Sequence, residues 1–112
     1  MQIKRGEVYR VNLDPTTGSE MKKERPAVIV SADSINSKAA VIVVCPITEA
    51  SLKSSPIHIE VPKGEGGLYK DSVVHCGQIR AVDKTRLGEK IGTLDALRLA
   101  KVSKGIMEAL SL

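Results

Sequence analysis

The chain contains short runs in which apolar and polar positions alternate, the period of a β-strand with one buried face. Within residues 8–13, the apolar side chains of Tyr9, Val11 and Leu13 alternate with polar ones. Segment Val41–Ile47 is apolar throughout, which is typical of a central strand buried on both faces. The same reasoning predicts further strands at residues 27–30, 57–61, 73–82 and 86–91.

The apolar period lengthens near the C-terminus, where it predicts an amphipathic helix. We expect Thr93 to be the N-cap and Asp95 to favour the helix N-terminus by its negative charge. Gly105 is expected to weaken the middle of this helix. The residues predicted to share the apolar face are Leu99, Val102, Ile106, Ala109 and Leu110.

Segments rich in Gly, Pro, Ser and Asp separate the predicted strands, and this spacing is typical of a small antiparallel barrel or sandwich. In the long strand 73–82, Gly77 is a candidate β-bulge. The connection from Asp14 to Pro26 is much longer than an ordinary hairpin loop, and it carries the densest charges of the chain. We therefore treat this loop as a candidate functional segment.

Composition narrows the class of protein. The chain has 112 residues, of which 42% are hydrophobic, and this predicts one globular domain over residues 1–112. It has 17 Lys and Arg against 13 Asp and Glu, a net charge of +4, which favours an anionic partner such as nucleic acid. With two Tyr and neither Phe nor Trp, the chain is a poor candidate for reading single strands mainly by aromatic stacking.

The N-terminal residues are too charged for a secretory signal, and no apolar run is long enough to span a membrane. Cys45 and Cys76 lie in apolar runs without the spacing of a zinc site, so we expect two buried free thiols. These features predict a cytoplasmic protein that does not bind a membrane.

Few catalytic patterns are present. The segment Gly64–Gly67 lacks the Lys-Ser/Thr pair of a phosphate-binding loop, and no cluster of ligands predicts a metal or other cofactor. His58 and His75 are both expected in strands, with His58 facing outward, so a catalytic histidine is not favoured. Arg25 precedes Pro26, which favours extended geometry, and its guanidinium suits a bidentate grip on phosphate.

Several segments, taken in order, resemble the MazF/PemK/Kid family of toxin endoribonucleases from type II toxin–antitoxin systems. Each segment alone is weak, but together they extend from Arg5 to the C-terminal helix. They are Arg5-Gly6-Glu7-Val8-Tyr9, Asp14-Pro15 with Gly18-Ser19-Glu20, Arg25-Pro26-Ala27-Val28-Ile29-Val30, Cys45-Pro46-Ile47-Thr48, Asp71-Ser72-Val73 and Gln78-Ile79-Arg80.

The resemblance implies a mainly β fold, a small SH3-like antiparallel barrel with a C-terminal α-helix, acting as a homodimer. It implies sequence-specific, metal-independent cleavage of single-stranded RNA by attack of the 2′-hydroxyl on the adjacent phosphate. It further implies neutralisation by a cognate acidic antitoxin similar to MazE, and DNA binding within the antitoxin complex.

The family's catalytic Arg and Thr match Arg25 and Thr48, and its RNA-contacting residues match Ser19, Glu20 and Gln78. Many members have small residues where this chain has Lys22 and Lys23, which we expect to add phosphate contacts. The general base is left unassigned, since an arginine is almost always charged, and Glu20 is one candidate if its loop closes over the site.

Two other functions stay open on sequence grounds. One is a gyrase-binding toxin similar to CcdB, whose C-terminal Trp is missing from Glu108-Ala109-Leu110-Ser111-Leu112. The other is a barrel module that binds nucleic acid without cutting it. Incubating single-stranded RNA with the protein in the absence of metal distinguishes cleavage from both.

Overall fold

The computed structural model describes residues 2–20, 23–49 and 55–112. Segments with alternating apolar and polar side chains form a sheet, and an amphipathic helix near the C-terminus packs on it through its apolar face. The strands of these residues are β1 (Glu7–Asn12), β2 (Glu24–Ile29), β3 (Val41–Glu49), β4 (His58–Val61), β5 (Ser72–His75), β6 (Arg80–Asp83) and β7 (Leu87–Thr93). The helices are α1 (Asp33–Asn36) and α2 (Ala96–Leu110).

Every strand pairing is antiparallel, and the strand order is β4-β5-β3-β2-β1-β7, with β6 also paired to β3. This confirms the mainly β class with a C-terminal helix. Within the described residues the two end strands, β4 and β7, do not pair with each other, so hydrogen bonding does not close the sheet into a complete barrel.

A short 3₁₀ turn, Glu65–Gly67, packs against β7 at this open side of the sheet. Gly67 has φ +77°, and a Cβ there would lie 2.1 Å from the carbonyl oxygen of Ile91. A Cβ on Gly92 would lie 2.6 Å from the backbone of Gly66. The turn and the strand therefore meet backbone to backbone, an approach that only glycine permits.

The core has two clusters, because alternate residues of the central strands point to opposite faces. Val28 and Cys45 belong to a cluster that includes Val102 of α2. Ala27 and Val44, their neighbours along β2 and β3, belong to the second cluster. Both faces of the central strands are thus buried, which explains why β3 is apolar over most of its length and confirms the sequence prediction.

The prediction of one strand over residues 73–82 is wrong. The segment forms β5, then a 3₁₀ turn Cys76–Gln78, then β6, and Gly77 lies in the turn and not in a β-bulge. β5 pairs with Ile47–Glu49 of β3, whereas β6 pairs with Val41–Val44. Pro46 lies between these two paired stretches, and a proline has no N–H to offer a ladder.

The N-cap of helix α2 lies two residues later than predicted. Thr93 is the last residue of β7, and Asp95 is the N-cap, with its Oδ1 accepting the Arg98 N–H at 2.7 Å. Gly105 has a packing role, because a Cβ there would lie 2.7 Å from the Sγ of Cys76. Leu110, predicted on the buried face, is 51% exposed.

Cys45 and Cys76 are buried free thiols, as the sequence predicts.

Candidate active site

Arg25 and Thr48 lie together because β2 and β3 are neighbours in the sheet. Ala27 pairs with Pro46, and Arg25 and Thr48 each lie two residues beyond this pair toward the same end of the sheet. Both side chains line one cavity of about 370 Å³, the Arg25–Thr48 cavity. The pairing of β2 with β3 thus brings two residues that are 23 positions apart in the sequence to the same cavity.

Charged side chains surround this cavity. Arg10, Arg25 and Lys70 contribute positive charge to its lining, and Glu24 and Glu49 contribute negative charge. Arg10 forms an ion pair with Glu24 at 2.8 Å, and Lys70 forms one with Glu49 at 3.3 Å. The lining thus has one more cation than anion, a balance that favours an anionic ligand such as phosphate.

An exposed aromatic ring stands at the same cavity. Tyr69 is 72% exposed and lies in the segment between the 3₁₀ turn and β5. Sequence reasoning missed it because a composition with two Tyr gave no reason to expect a ring beside Arg25 and Thr48. Its ring offers a face for stacking within a cavity that also carries cations.

Thr48 is the first member of a chain of polar contacts that leads away from the cavity. Its Oγ1 lies 2.8 Å from Nε2 of His75. The rings of His75 and His58 meet edge to face with their centroids 5.0 Å apart. Nδ1 of His58 lies 2.8 Å from Oγ of Ser55. We call this series, Thr48–His75–His58–Ser55, the hydroxyl–imidazole chain.

The charge of His75 is set by these surroundings. Burial lowers the pKa of His75, and electrostatic interaction with His58 and with the Arg25 guanidinium lowers it further. The imidazole is therefore neutral at pH 7, where an ordinary histidine is already mostly neutral.

Sequence reasoning did not favour either histidine for the site, and it expected His58 to face outward. The structure instead makes His58 half-buried and pairs it directly with His75 across β4 and β5. The only available signal was the placement of both histidines in predicted strands. Which strands are neighbours is a tertiary property, so the sequence alone does not bring His75 to Thr48.

Ser19, Glu20 and Gln78 line a second cavity of about 560 Å³, the Ser19–Gln78 groove. Pro46 lines this groove, and the next residue of β3, Ile47, lines the Arg25–Thr48 cavity. Ser19 and Glu20 of the loop that begins at Asp14 therefore line the groove and not the first cavity.

Glu20 is held within its own loop. Its Oε1 accepts the Thr17 N–H at 2.5 Å, and its backbone N–H donates to the Thr17 carbonyl at 3.2 Å. Arg80 Nη1 donates to the Leu13 carbonyl at 3.2 Å, which ties the start of the loop to β6. These contacts keep the Glu20 carboxylate in the groove, away from the residues that line the cavity around Thr48.

The structure describes only one of the two lysines of the loop. Lys22 lies outside the described residues, so the structure gives no position for it. Lys23 is exposed, and its carbonyl accepts the Leu13 N–H at 3.0 Å, closing the base of the loop. Lys23 is not part of the lining of either cavity.

Among the described residues, no group of three or more His, Cys, Asp or Glu side chains is arranged to hold a metal ion. In that same part of the chain, none of the helices combines the length and the apolar character needed to cross a bilayer.

Comparison with known proteins gives consistent matches over almost the whole chain. A family model described as "PemK-like, MazF-like toxin of type II toxin-antitoxin system" matches residues 4–110. A curated protein of Staphylococcus epidermidis, named "Endoribonuclease MazF", is 38% identical over 111 residues, covering 98% of this chain and 92% of that protein.

Solved structures share the fold. The crystal structure of MazF (Form-I) from Deinococcus radiodurans superposes with a TM-score of 0.86 and 25% identity, covering 100% of this chain and 99% of that one. A mycobacterial endoribonuclease in complex with its cognate antitoxin gives a TM-score of 0.82 at 24% identity, covering 98% of this chain and 96% of that one. At that identity the second likeness concerns the fold alone.

Proposed function

Because the chain belongs to the family of PemK-like and MazF-like toxins of type II toxin–antitoxin systems, we propose that it is an endoribonuclease that cleaves single-stranded RNA. Its cut lies within a short recognition sequence, and the reaction needs no metal ion. The toxin domain is the whole of residues 1–112, and it acts in the cytoplasm as a homodimer.

The observation that carries this proposal is the pairing of Arg25 with Thr48 in one cavity. An RNA 2′-oxygen attacks the adjacent phosphorus, the bond from phosphorus to the 5′-oxygen breaks, and a 2′,3′-cyclic phosphate forms. Negative charge gathers on the phosphate oxygens as the new bond forms. A guanidinium and a hydroxyl held by neighbouring strands stabilise that charge without reorganising. Such preorganised electrostatic stabilisation of the transition state is usually the largest single contribution to the rate of an enzyme.

No metal is required for this step, because the positive charge comes from the Arg25 side chain and its cationic neighbours Arg10 and Lys70. The proton acceptor for the 2′-hydroxyl stays unassigned. Glu20 fits an RNA-binding role better than that of a general base, because its carboxylate accepts the Thr17 amide and lines the neighbouring groove.

Binding of the RNA on either side of the cut extends over both cavities. Ser19, Glu20 and Gln78 offer hydroxyl, carboxylate and amide groups to base edges in the Ser19–Gln78 groove. Tyr69 stacks on a base beside the Arg25–Thr48 cavity. Lys22 and Lys23 of the loop contact phosphates, which adds affinity that depends on salt.

The partner that controls the activity is a cognate antitoxin with an acidic, disordered segment. A surface that binds the phosphates of RNA is complementary to carboxylates of a peptide, so such a segment blocks the Arg25–Thr48 cavity. An antitoxin that bound this chain without lowering its cleavage rate would contradict this part of the proposal.

The decisive experiment incubates the purified protein with a mixed pool of single-stranded RNA in EDTA, followed by sequencing of the released 5′ ends. Cleavage at one short sequence is expected. Arg25→Ala and Thr48→Val should each lower the rate by about 100-fold or more, the usual cost of one charge-stabilising donor. Thr48→Ser keeps the hydroxyl and should retain most of the activity.

The matched control is Lys38→Ala, which removes an exposed charge after α1, and it should cleave as the unmodified protein does. RNA that is bound but left intact by the unmodified protein would contradict the proposal and favour a non-catalytic nucleic-acid-binding module. Full cleavage by both Arg25→Ala and Thr48→Val would contradict the assigned roles of these residues.

A further inference from the structure

We propose that His75 is a positioning residue that donates its Nε2–H to Oγ1 of Thr48 and so turns the Thr48 hydroxyl proton toward the scissile phosphate. The two atoms lie 2.8 Å apart. This inference rests on the proposed function, because it explains how Thr48 is kept ready to stabilise the charge on that phosphate.

A threonine hydroxyl has one proton to donate and two lone pairs that accept, and it rotates freely about its C–O bond. When His75 donates its N–H to one lone pair of the Thr48 hydroxyl, the hydroxyl proton is not bonded to His75. It can then be donated to a group in the cavity. If His75 accepted the proton instead, Thr48 would have none left to give to a phosphate oxygen. The role proposed for Thr48 therefore requires the Nε2–H form of His75.

The strands hold the His75 ring in place for this contact. β5 lies between β3 and β4, so His75 has Thr48 on one side and its paired residue His58 on the other. Thr48 pairs with Val73, and His75 follows two residues later on the same face of β5, the diagonal relation in which long side chains meet.

His58 is itself fixed from behind, which limits how far the pair of rings can turn. Oγ of Ser55 lies 2.8 Å from Nδ1 of His58, and it also accepts the Ile57 N–H at 3.3 Å. The Ile57 N–H occupies one lone pair of Ser55, so the Ser55 proton is free for the imidazole. The hydroxyl–imidazole chain thus ends on the backbone.

Burial lowers the pKa of His75, and electrostatic interaction with the groups that face it, His58 of β4 and Arg25 of β2, lowers it further. The ring is accordingly neutral over the range in which the enzyme is expected to work, and only one of its nitrogens has a hydrogen. Protonation at acidic pH adds a hydrogen to the other nitrogen and leaves the Nε2–H contact with Thr48 intact. The positioning role of His75 is therefore not expected to make the cleavage rate depend on pH.

The test compares steady-state cleavage of a fixed RNA in EDTA by the unmodified protein, His75→Ala and His75→Gln. His75→Ala should lower kcat about tenfold, the equivalent of one hydrogen bond, with KM changed less than about twofold. His75→Gln should recover most of the rate, because its side-chain amide also donates an N–H. The curves of kcat against pH for His75→Gln and the unmodified protein should run parallel.

A background of Thr48→Val separates positioning from general damage to the fold. If His75 acts through the Thr48 hydroxyl, His75→Ala should cause no further loss once that hydroxyl is gone. An equal loss in both backgrounds would overturn the inference. So would an acidic limb in the pH curve that His75→Gln lacks, because that result would make His75 a proton acceptor.

The nitrogen chemical shifts of His75 give a readout that requires neither an activity measurement nor a variant, because they are recorded on the unmodified protein. The unmodified protein should show a protonated Nε2 and an unprotonated Nδ1 at pH 7, and the opposite tautomer would overturn the inference. A protein that does not cleave RNA at all contradicts the proposed function, and this inference with it. Normal cleavage by His75→Ala contradicts the positioning role alone.

Discussion

At the scale of single residues, the two tyrosines show that surroundings decide what a side chain does. Tyr9 is 2% exposed, and its hydroxyl donates to Glu7 at 3.3 Å within the core. Tyr69 is 72% exposed and stands at the Arg25–Thr48 cavity. A low aromatic count argues against a surface built from many stacking rings, but one ring in the right place still offers a stacking contact.

Replacing Tyr69 tests that contact. Tyr69→Ala should weaken RNA binding by about 5- to 150-fold, since stacking of one base on an aromatic ring contributes roughly 1–3 kcal/mol. The chemical step should change little, because the ring does not take part in bond breaking. The measurement is the KM and kcat of cleavage, with fluorescence anisotropy to follow binding.

Tyr69→Phe is the matched control for Tyr69→Ala, because it keeps the ring and removes only the hydroxyl. It should bind RNA about as well as the unmodified protein. Equal KM values for Tyr69→Ala and the unmodified protein would show that Tyr69 makes no contact with the substrate.

At the scale of secondary-structure elements, β3 organises the candidate site. It pairs with β2, β5 and β6, so its neighbours bring Arg25 from one side and His75 from the other to the level of Thr48. Its consecutive residues Pro46 and Ile47 each line one of the two cavities. The end of a buried strand thus gives a rigid support for side chains that face the surface.

The contact between the 3₁₀ turn and β7 yields a second prediction. Gly67→Ala should lower the free energy of unfolding by about 3 kcal/mol or more, through a left-handed φ and a collision with the Ile91 carbonyl. Gly64 also has a positive φ, +95°, yet nothing lies within 4 Å of a Cβ placed there. Gly64→Ala should therefore cost only about 1–2 kcal/mol.

Urea unfolding of the two variants measures this difference, with unchanged m values as the sign that both unfold from the same folded state. Similar losses in the two variants would mean that backbone strain alone matters and that the close approach of the turn to β7 contributes nothing.

At the scale of the whole molecule, the distribution of positive charge matters more than the net charge. The net charge of +4 is small, but cations are present at the Arg25–Thr48 cavity and again in the loop of residues 14–23. The Ser19–Gln78 groove and the Arg25–Thr48 cavity are lined by consecutive residues of β3, Pro46 and Ile47. We expect RNA to follow the line between them.

The salt dependence of RNA binding tests the contribution of the loop lysines to this surface. For single strands, the slope of log K against log salt concentration changes by about 0.7 for each phosphate neutralised. Lys22→Ala and Lys23→Ala should therefore each reduce the slope by about 0.7. Binding is measured in a Thr48→Val background, in which cleavage is expected to be slow enough for binding to be followed before the RNA is cut.

Lys38→Ala is again the control for the salt series, since it removes one positive charge at a distance in sequence from the loop. Its slope should equal that of the Thr48→Val protein. A loop lysine variant with the same slope as this control would show that the lysine contacts no phosphate.

The sequence by itself determined the strands, the helix and the family. Alternation predicted β1 and β4 within a few residues, because the side-chain period of a half-buried strand is a local property, and a short apolar run predicted β2. The uninterrupted apolar run of residues 41–47 marked the central strand, since only burial on both faces permits it. The resemblance selected Arg25 and Thr48, although neither residue type was informative alone.

Where the sequence prediction was wrong, non-local contacts set the outcome. The segment 73–82 has the composition of one strand, but its halves pair with different parts of β3, so a turn interrupts it. Thr93 suits a helix cap as well as Asp95 does, but pairing of Thr93 with Glu7 of β1 keeps it in β7.

Only the tertiary structure decided which polar groups meet. His58, His75 and Thr48 lie on three strands, and their contacts depend on strand order and register, which no local pattern specifies. The same holds for Tyr69, which follows the turn at residues 65–67 and is exposed at the cavity. Local periodicity is fixed by neighbours in the chain, whereas a site is assembled from residues that only the packed sheet brings together.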